Sequence, residues 1–153
     1  MNILFFLTPK EKVSRVEDDD TLRQALEKME HHGYSAIPLL SKDGKYIGTI
    51  TEGDLLWCIK NNKFPSLKQM EDIPITSIHR HRDNEAINIS LSMEELVDKI
   101  TNQNFVPVVD DNDVFIGIIT RKDVILYLAN QLPRSSSQRQ INLTLGSLPA
   151  GIN

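Results

Sequence analysis

Two short stretches of the chain hold residue types that could grip a ligand. One is Thr120-Arg121-Lys122-Asp123, and the other is Thr51-Glu52-Gly53-Asp54. Each follows an apolar, β-branched run and precedes a helical one, so each reads as the first turn of a helix. There the unpaired backbone N–H groups and the helix dipole favour an anion. Arg121 and Lys122 add positive charge at that spot. A hydrogen bond from such a cation to a phosphate is worth about 1.5–3 kcal/mol. Asp123 can accept from sugar hydroxyls. The first stretch has Glu52 and Gly53 instead, and Glu52 would repel a phosphate. The chemistry implied is recognition of a phosphorylated, sugar-bearing ligand at Arg121 and Lys122, with the place at Thr51, Glu52 and Asp54 empty, weak, or taking an uncharged adenosine-like group. Helix capping alone also explains a Thr and an Asp three residues apart. The duplication and the Arg-Lys pair favour a site.

The duplication extends beyond those residues. Gly48, Thr51 and Asp54 recur as Gly117, Thr120 and Asp123, and Pro38 recurs as Pro107, all offset by 69 residues. Fixed spacing of this kind marks an internal repeat. Each copy predicts strand, helix, strand, turn, strand, helix. In the first, Val13–Val16 is a strand and Asp20 caps a helix over Thr21–His31. Leu22, Ala25, Leu26 and Met29 form its buried face, and Gly33 ends it. Tyr34–Leu40 and Tyr46–Ile50 make a hairpin around Asp43-Gly44. Pro38 places its strand at an edge or a sheet end. Thr51 caps the next helix, with Asp54 completing a variant capping box. In the second copy, Ala86–Ile89 is a strand, and Ser92 and Glu95 open a helix. Phe105–Val109 and Val114–Ile119 pair across Asp110–Asp113. The helix-to-strand connection is about two residues tighter here. The organisation expected is a first unit with its lead-in over 1–64, a connector over 65–85, a second unit over 86–132 and a tail over 133–153. A docking strand is expected at Ile141–Leu145. Leu55–Ile59 and Val124–Ala129 are apolar on every side, so each predicts burial all round, against a partner unit or a second copy of the chain.

Composition narrows the classes. The chain has 153 residues, 40% hydrophobic and 25% charged, with a net charge of −4. An acidic balance argues against a nucleic-acid partner. The single Cys58 excludes an intramolecular disulfide and sits in an apolar helix where it is expected to be inert. Ile3–Leu7 is too short to span a membrane and lacks the marks of a signal peptide, so the cytoplasm is the expected location. His31-His32 and the His79/His81 pair offer no third ligand, so no metal is expected. Arg80-His81-Arg82 reads as a solvated linker. No P-loop, dinucleotide fingerprint or catalytic triad stands out, and an enzyme acting on nucleotides ranks last among the readings.

The twice-given order ending in Gly-x-x-Thr-x-x-Asp resembles a tandem CBS-domain protein, a Bateman module, from about Lys10 to Gln131. That resemblance implies an α/β (α+β) fold: two β-α-β-β-α units packed about a pseudo-two-fold, with adenine nucleotides bound in the clefts between them. It implies that Thr and Asp hold ribose or phosphate, and that the segment before Pro contacts the base. It also implies a homodimer. A narrower resemblance links Glu11-Lys12-Val13, Gly33–Pro38, Asn104-Phe105-Val106 and Thr120-Arg121-Lys122 to small stand-alone bacterial CBS-pair proteins that bind cyclic di-AMP. It implies a regulated partner protein, an enzyme that the ligand-free form engages. It gathers Lys12, Val13, Ser14, Tyr34, Ser35, Ala36 and Pro38 with Thr120, Arg121, Lys122 and Asp123 in a main cleft. Lys122 stands where that group often has a second Arg, and offers a point charge rather than a fork. A second, weaker cleft would hold Thr51, Asp54, Asn104, Phe105 and Val106. Tyr34 is either a stacking surface for a purine or a core residue. The ligand is cyclic di-AMP, a mononucleotide (AMP, ADP or ATP) or S-adenosylmethionine, with no cofactor required. The competing reading is an interaction module with vestigial clefts.

Overall fold

The computed structural model describes residues 1–133; the expected docking strand at Ile141–Leu145 lies outside the described residues. A 3₁₀ turn (Ile3–Phe6), β1 (Thr8–Pro9) and a second 3₁₀ turn (Lys10–Lys12) lead in. The first unit is β2 (Val16–Glu17), α1 (Leu22–His32), β3 (Ala36–Leu40), β4 (Tyr46–Thr51) and α2 (Glu52–Asn61). A connector follows with α3 (Leu67–Met70) and a 3₁₀ turn (Ile75–Ser77). The second unit is β5 (Ile87–Asn88), α4 (Met93–Asn102), β6 (Phe105–Val109), β7 (Phe115–Thr120) and α5 (Arg121–Gln131). The strands form two sheets, ordered β2-β3-β4 and β1-β7-β6-β5.

β3 and β6 are buried along their whole length. A strand covered on both faces needs a continuous apolar run, and Ala36-Ile37-Pro38-Leu39-Leu40 and Phe105-Val106-Pro107-Val108-Val109 supply it. Phe105, Phe115 and Ile118 of the second unit lie in one core cluster with Val13, Tyr34, Ala36 and Ile37 of the first. The hairpins also meet, Phe115 N–H donating to Gly44 O at 2.9 Å. The repeats thus share a core.

Pro38 lies on a middle strand rather than an edge. It pairs with Thr49 on β4, while the parallel neighbour β2 reaches only Leu39 and Leu40. Its missing N–H therefore faces no ladder. Pro107 repeats the arrangement, since β5 reaches only Val108 and Val109.

The cap of α1 is Thr21, not Asp20. Thr21 is extended, its Oγ accepts from Gln24 N–H, and Gln24 Oε1 accepts from Thr21 N–H. This reciprocal box satisfies two donors at once, which outcompetes a lone carboxylate. Asp20 instead accepts from Glu17 N–H and from Lys28 Nζ at 2.7 Å.

Each unit is crossed by the segment that leads into the other's partner strand. β1 pairs with β7 at Thr8↔Ile118 and Pro9↔Gly117, and Ile3 and Phe6 lie in the second unit's core with Leu96, Ile119 and Val124. Arg80–Asn84 lies against β4, held by side-chain contacts rather than by strand pairing. Asp83 Oδ1 accepts from Thr49 N–H at 2.9 Å and from Arg80 Nε at 2.9 Å, directly over Gly48. The expectation of a solvated linker at Arg80-His81-Arg82 holds for exposure, since His81 and Arg82 are exposed, but the segment is fastened over β4, where Gly48 lets a chain pass this close.

The all-round burial expected of α2 and α5 is half met. Leu55 and Val124 are buried, but Leu56 is 53% exposed and its counterpart Ile125 is 51% exposed. Trp57 and Leu128 are also exposed. One face of each helix covers its own sheet; within a single chain the other is open.

Candidate functional site

β7 runs directly into α5, so Thr120 is both the end of a strand and a helix cap. Its hydroxyl accepts from Asp123 N–H at 3.1 Å. Arg121 N–H is taken by Asn104 O at 2.9 Å. Arg121 Nε donates to Ile100 O at 2.7 Å, a carbonyl in the last turn of α4 that the helix itself leaves open. This bond fixes the guanidinium against the end of α4. Lys122 is exposed and Asp123 half-buried. Among the described residues, neither side chain has a hydrogen-bond partner.

The lead-in completes this side. The Lys10–Lys12 turn packs against β7, which ends in Thr120. Val13, Tyr34 and Ala36 are buried in one cluster with Ile118, two residues before Thr120. Ser14 and Ser35 are half-buried, and Ser35 O accepts from Glu52 N–H at 3.0 Å. Pro38 is buried within β3. The structure thus brings Lys12 and Val13 alongside β7. Tyr34 is held differently: the residue is 4% exposed and its ring stacks on His32 at 5.2 Å and 15°. It lines an open groove of about 610 Å³ between α1 and α2, with Glu30, Glu52 and Leu56. Burial pushes its phenol pKa up.

At the second motif the same residue types are differently engaged. Thr51 Oγ accepts from Asp54 N–H at 3.1 Å, and Asp54 Oδ2 accepts from Thr51 N–H at 3.0 Å. Asp54 Oδ1 accepts from His81 N–H at 3.0 Å and lies 2.7 Å from His81 Nδ1. Burial alone would raise the Asp54 pKa, but the hydrogen bonds from His81 and Thr51 outweigh it and hold the carboxyl below its ordinary value. Further along, Asn84 Nδ2 donates to Phe105 O at 3.0 Å and to Asn104 Oδ1 at 3.4 Å. Tyr46 Oη donates to Asn84 O at 2.6 Å. Buried Gln103 accepts from Glu85 N–H at 2.9 Å and donates to Glu85 O at 3.1 Å. Phe105 and Val106 are wholly buried.

His81, Asp83, Asn84 and Gln103 were missed by the sequence reading. A signal existed: β2 and β5 are offset by 71 residues, so Lys10–Arg15 corresponds to 81–86. The segment before the second unit is the counterpart of the lead-in before the first. Among the described residues no group of three or more His, Cys, Asp or Glu side chains is placed to hold a metal, and no helix is long and apolar enough to cross a membrane.

Fold and motif placement define a pair of CBS units. The CBS domain model matches residues 8–61 and 71–130, and the chain belongs to the CBS-domain family. It is 30% identical over 125 residues to the cyclic di-AMP receptor B of Bacillus subtilis (strain 168), covering 78% of this chain and 81% of that one. A crystal structure of CbpB in complex with c-di-AMP superposes with a TM-score of 0.75 at 25% identity, covering 85% of each chain. The Listeria monocytogenes CbpB complex with c-di-AMP gives a TM-score of 0.71 at 29% identity, covering 82% of this chain and 92% of that one.

Proposed function

We propose that the chain is a non-enzymatic regulatory module that binds an adenine nucleotide between its repeats and signals to a partner protein in the cytoplasm. The ligand occupies the main cleft, contacting Lys12, Val13, Ser14, Ser35, Ala36, Thr120, Arg121, Lys122 and Asp123. The observation that carries this reading is the first turn of α5. There, two cations and a carboxylate without a described partner lie at the open end of β7, beside Lys10–Lys12. Phosphate meets Arg121 and Lys122, and ribose hydroxyls meet Asp123. The names of the relatives favour cyclic di-AMP over mononucleotides.

Thermal unfolding with cyclic di-AMP, ATP, ADP, AMP and S-adenosylmethionine in parallel tests this. Ligand at about 100 times Kd adds about 2.7 kcal/mol, a rise of about 5–10 °C for a chain of this size. A rise with cyclic di-AMP is the expected result, and mononucleotides alone would make the protein an energy sensor. No rise with any of the five moves the reading to an interaction module.

The open faces of α2 and α5 suit a homodimer. Leu56 and Ile125 are repeat equivalents and both half-exposed, so one self-complementary contact covers both. Trp57→Glu is expected to convert a dimer to a monomer in light scattering. A wild-type protein already monomeric at tens of micromolar refutes the dimer.

A further inference from the structure

The two repeats carry the same Thr-x-x-Asp motif, but only one of the Asp carboxylates is left for a ligand. We infer that the second cleft is sealed by the chain itself, with Asp54 acting as a latch for the connector rather than as a nucleotide-binding group. The inference rests on the proposed occupancy of the main cleft for its stoichiometry, and on this chain's own contacts for the latch.

The Asp54 carboxylate has three donors. Thr51 N–H meets Oδ2, while His81 N–H and Nδ1 both meet Oδ1. The Asp54 side chain is 1% exposed, whereas that of His81 is 53% exposed. Asp54 therefore has no face turned to solvent where a ribose could approach, and His81 covers it. From there the connector is fastened residue by residue. Asp83 holds Thr49 N–H, Asn84 holds Phe105 O, and Glu85 is held by Gln103. These bonds join β4 of the first unit to the start of β6 in the second, across the cleft that Thr51, Asp54, Asn104 and Phe105 would have formed. The carboxylate is also the wrong charge for phosphate, and Glu52 beside it adds to that.

At the other motif the equivalent arrangement is lacking. Asp123 does not return a bond to Thr120, and α5 has no reciprocal box. By the offset of the lead-in strands, the residue equivalent to His81 is Lys10. Its side chain has no described hydrogen bond to Asp123. The same motif is thus spent on fold closure in one repeat and left available in the other. A repeat whose copies diverge in this way binds one nucleotide per chain.

The latch is tested on the ligand-free protein by a double-mutant cycle in chemical unfolding, with His81→Ala, Asp54→Asn and the double variant. His81 is largely exposed, so His81→Ala is expected to fold and to lower the unfolding midpoint. The double variant is expected to lose no more than the larger single loss. Additive losses overturn the latch. Should Asp54→Asn fail to fold, hydrogen exchange on His81→Ala decides: the amides of residues 81–84 are expected to lose protection at least tenfold, and unchanged protection overturns the proposal. Isothermal titration with cyclic di-AMP then gives the stoichiometry. One ligand per chain, with His81→Ala binding within about twofold of wild type, is the expected result, and two per chain overturns it. If wild type binds no nucleotide, the reading of the main cleft falls, while the cycle still decides the latch.

Discussion

Gly117→Ala is expected to cost about 3–5 kcal/mol and to lower the melting temperature by roughly 10 °C. Gly117 has φ +156°, and a methyl there would overlap Thr8 O and lie 2.9 Å from Leu7 Cδ1 and 3.1 Å from Pro9 Cα. Backbone cannot yield as a flexible side chain can. The substitution therefore breaks the Pro9↔Gly117 pairing and lifts the lead-in from the second unit. Ile3 and Phe6, which are 1% and 2% exposed, then lose their places against Leu96 and Val124. Burying each such side chain is worth about 1.5–3 kcal/mol, and the edge-on packing of Phe6 with Tyr127 at 5.2 Å goes with them. Gly53→Ala is the control. A methyl there lies 3.7 Å from Thr51 Oγ1 with no strained φ, and alanine favours the helix by about 0.8–1 kcal/mol. Urea unfolding of both variants decides the matter. A Gly117→Ala loss under about 1 kcal/mol would mean that the lead-in is not anchored on β7.

That anchoring marks the boundary of what the sequence discloses. The repeated Gly-x-x-Thr-x-x-Asp was visible because short-range rules govern it: β-branched strand, cap, helix. Thr51, Thr120 and Ser92 cap as expected, with Oγ accepting from the N3 amide in each case. The α1 cap was misplaced by one residue because two adjacent residues both suit a cap, and only the Gln24 partner separates them. What could not be read locally is the crossing of segments between units. Nothing local in Thr8–Pro9 or Arg80–Asn84 names the strand each lies against, and their positions depend on glycines more than 30 residues away in sequence. The charged run Arg80-His81-Arg82-Asp83 looked solvated since charges usually are. Yet Arg80 and Asp83 neutralise each other and Asp54 takes His81. That the two motifs carry different charge was legible from Glu52 against Arg121. That one Asp would be bonded by a histidine 27 residues on was not, because partner choice at that distance is set by the fold.

Arg121→Ala is expected to weaken nucleotide binding about 10- to 100-fold while the ligand-free protein remains folded. Arg121 stands at the first position of α5, its Nε held by Ile100 O at 2.7 Å. That bond spends one donor on orientation, so the side chain is positioned before the ligand arrives. Losing a charge-assisted hydrogen bond costs about 1.5–3 kcal/mol, which sets the expected range. Two further variants separate charge from geometry. Arg121→Lys keeps the charge without the planar fork, and should recover part of the affinity only. Lys122→Ala removes an exposed cation with no described partner, so its effect falls on binding alone, is smaller, and shrinks as salt screens it. Titration calorimetry at two ionic strengths, with melting curves of each ligand-free variant, reads all of this. Undiminished affinity in Arg121→Ala would place the nucleotide elsewhere in the chain. A melting temperature that falls together with the affinity would mean instead that the Ile100 contact is the residue's real task, because α4 would then be losing its C-terminal cap.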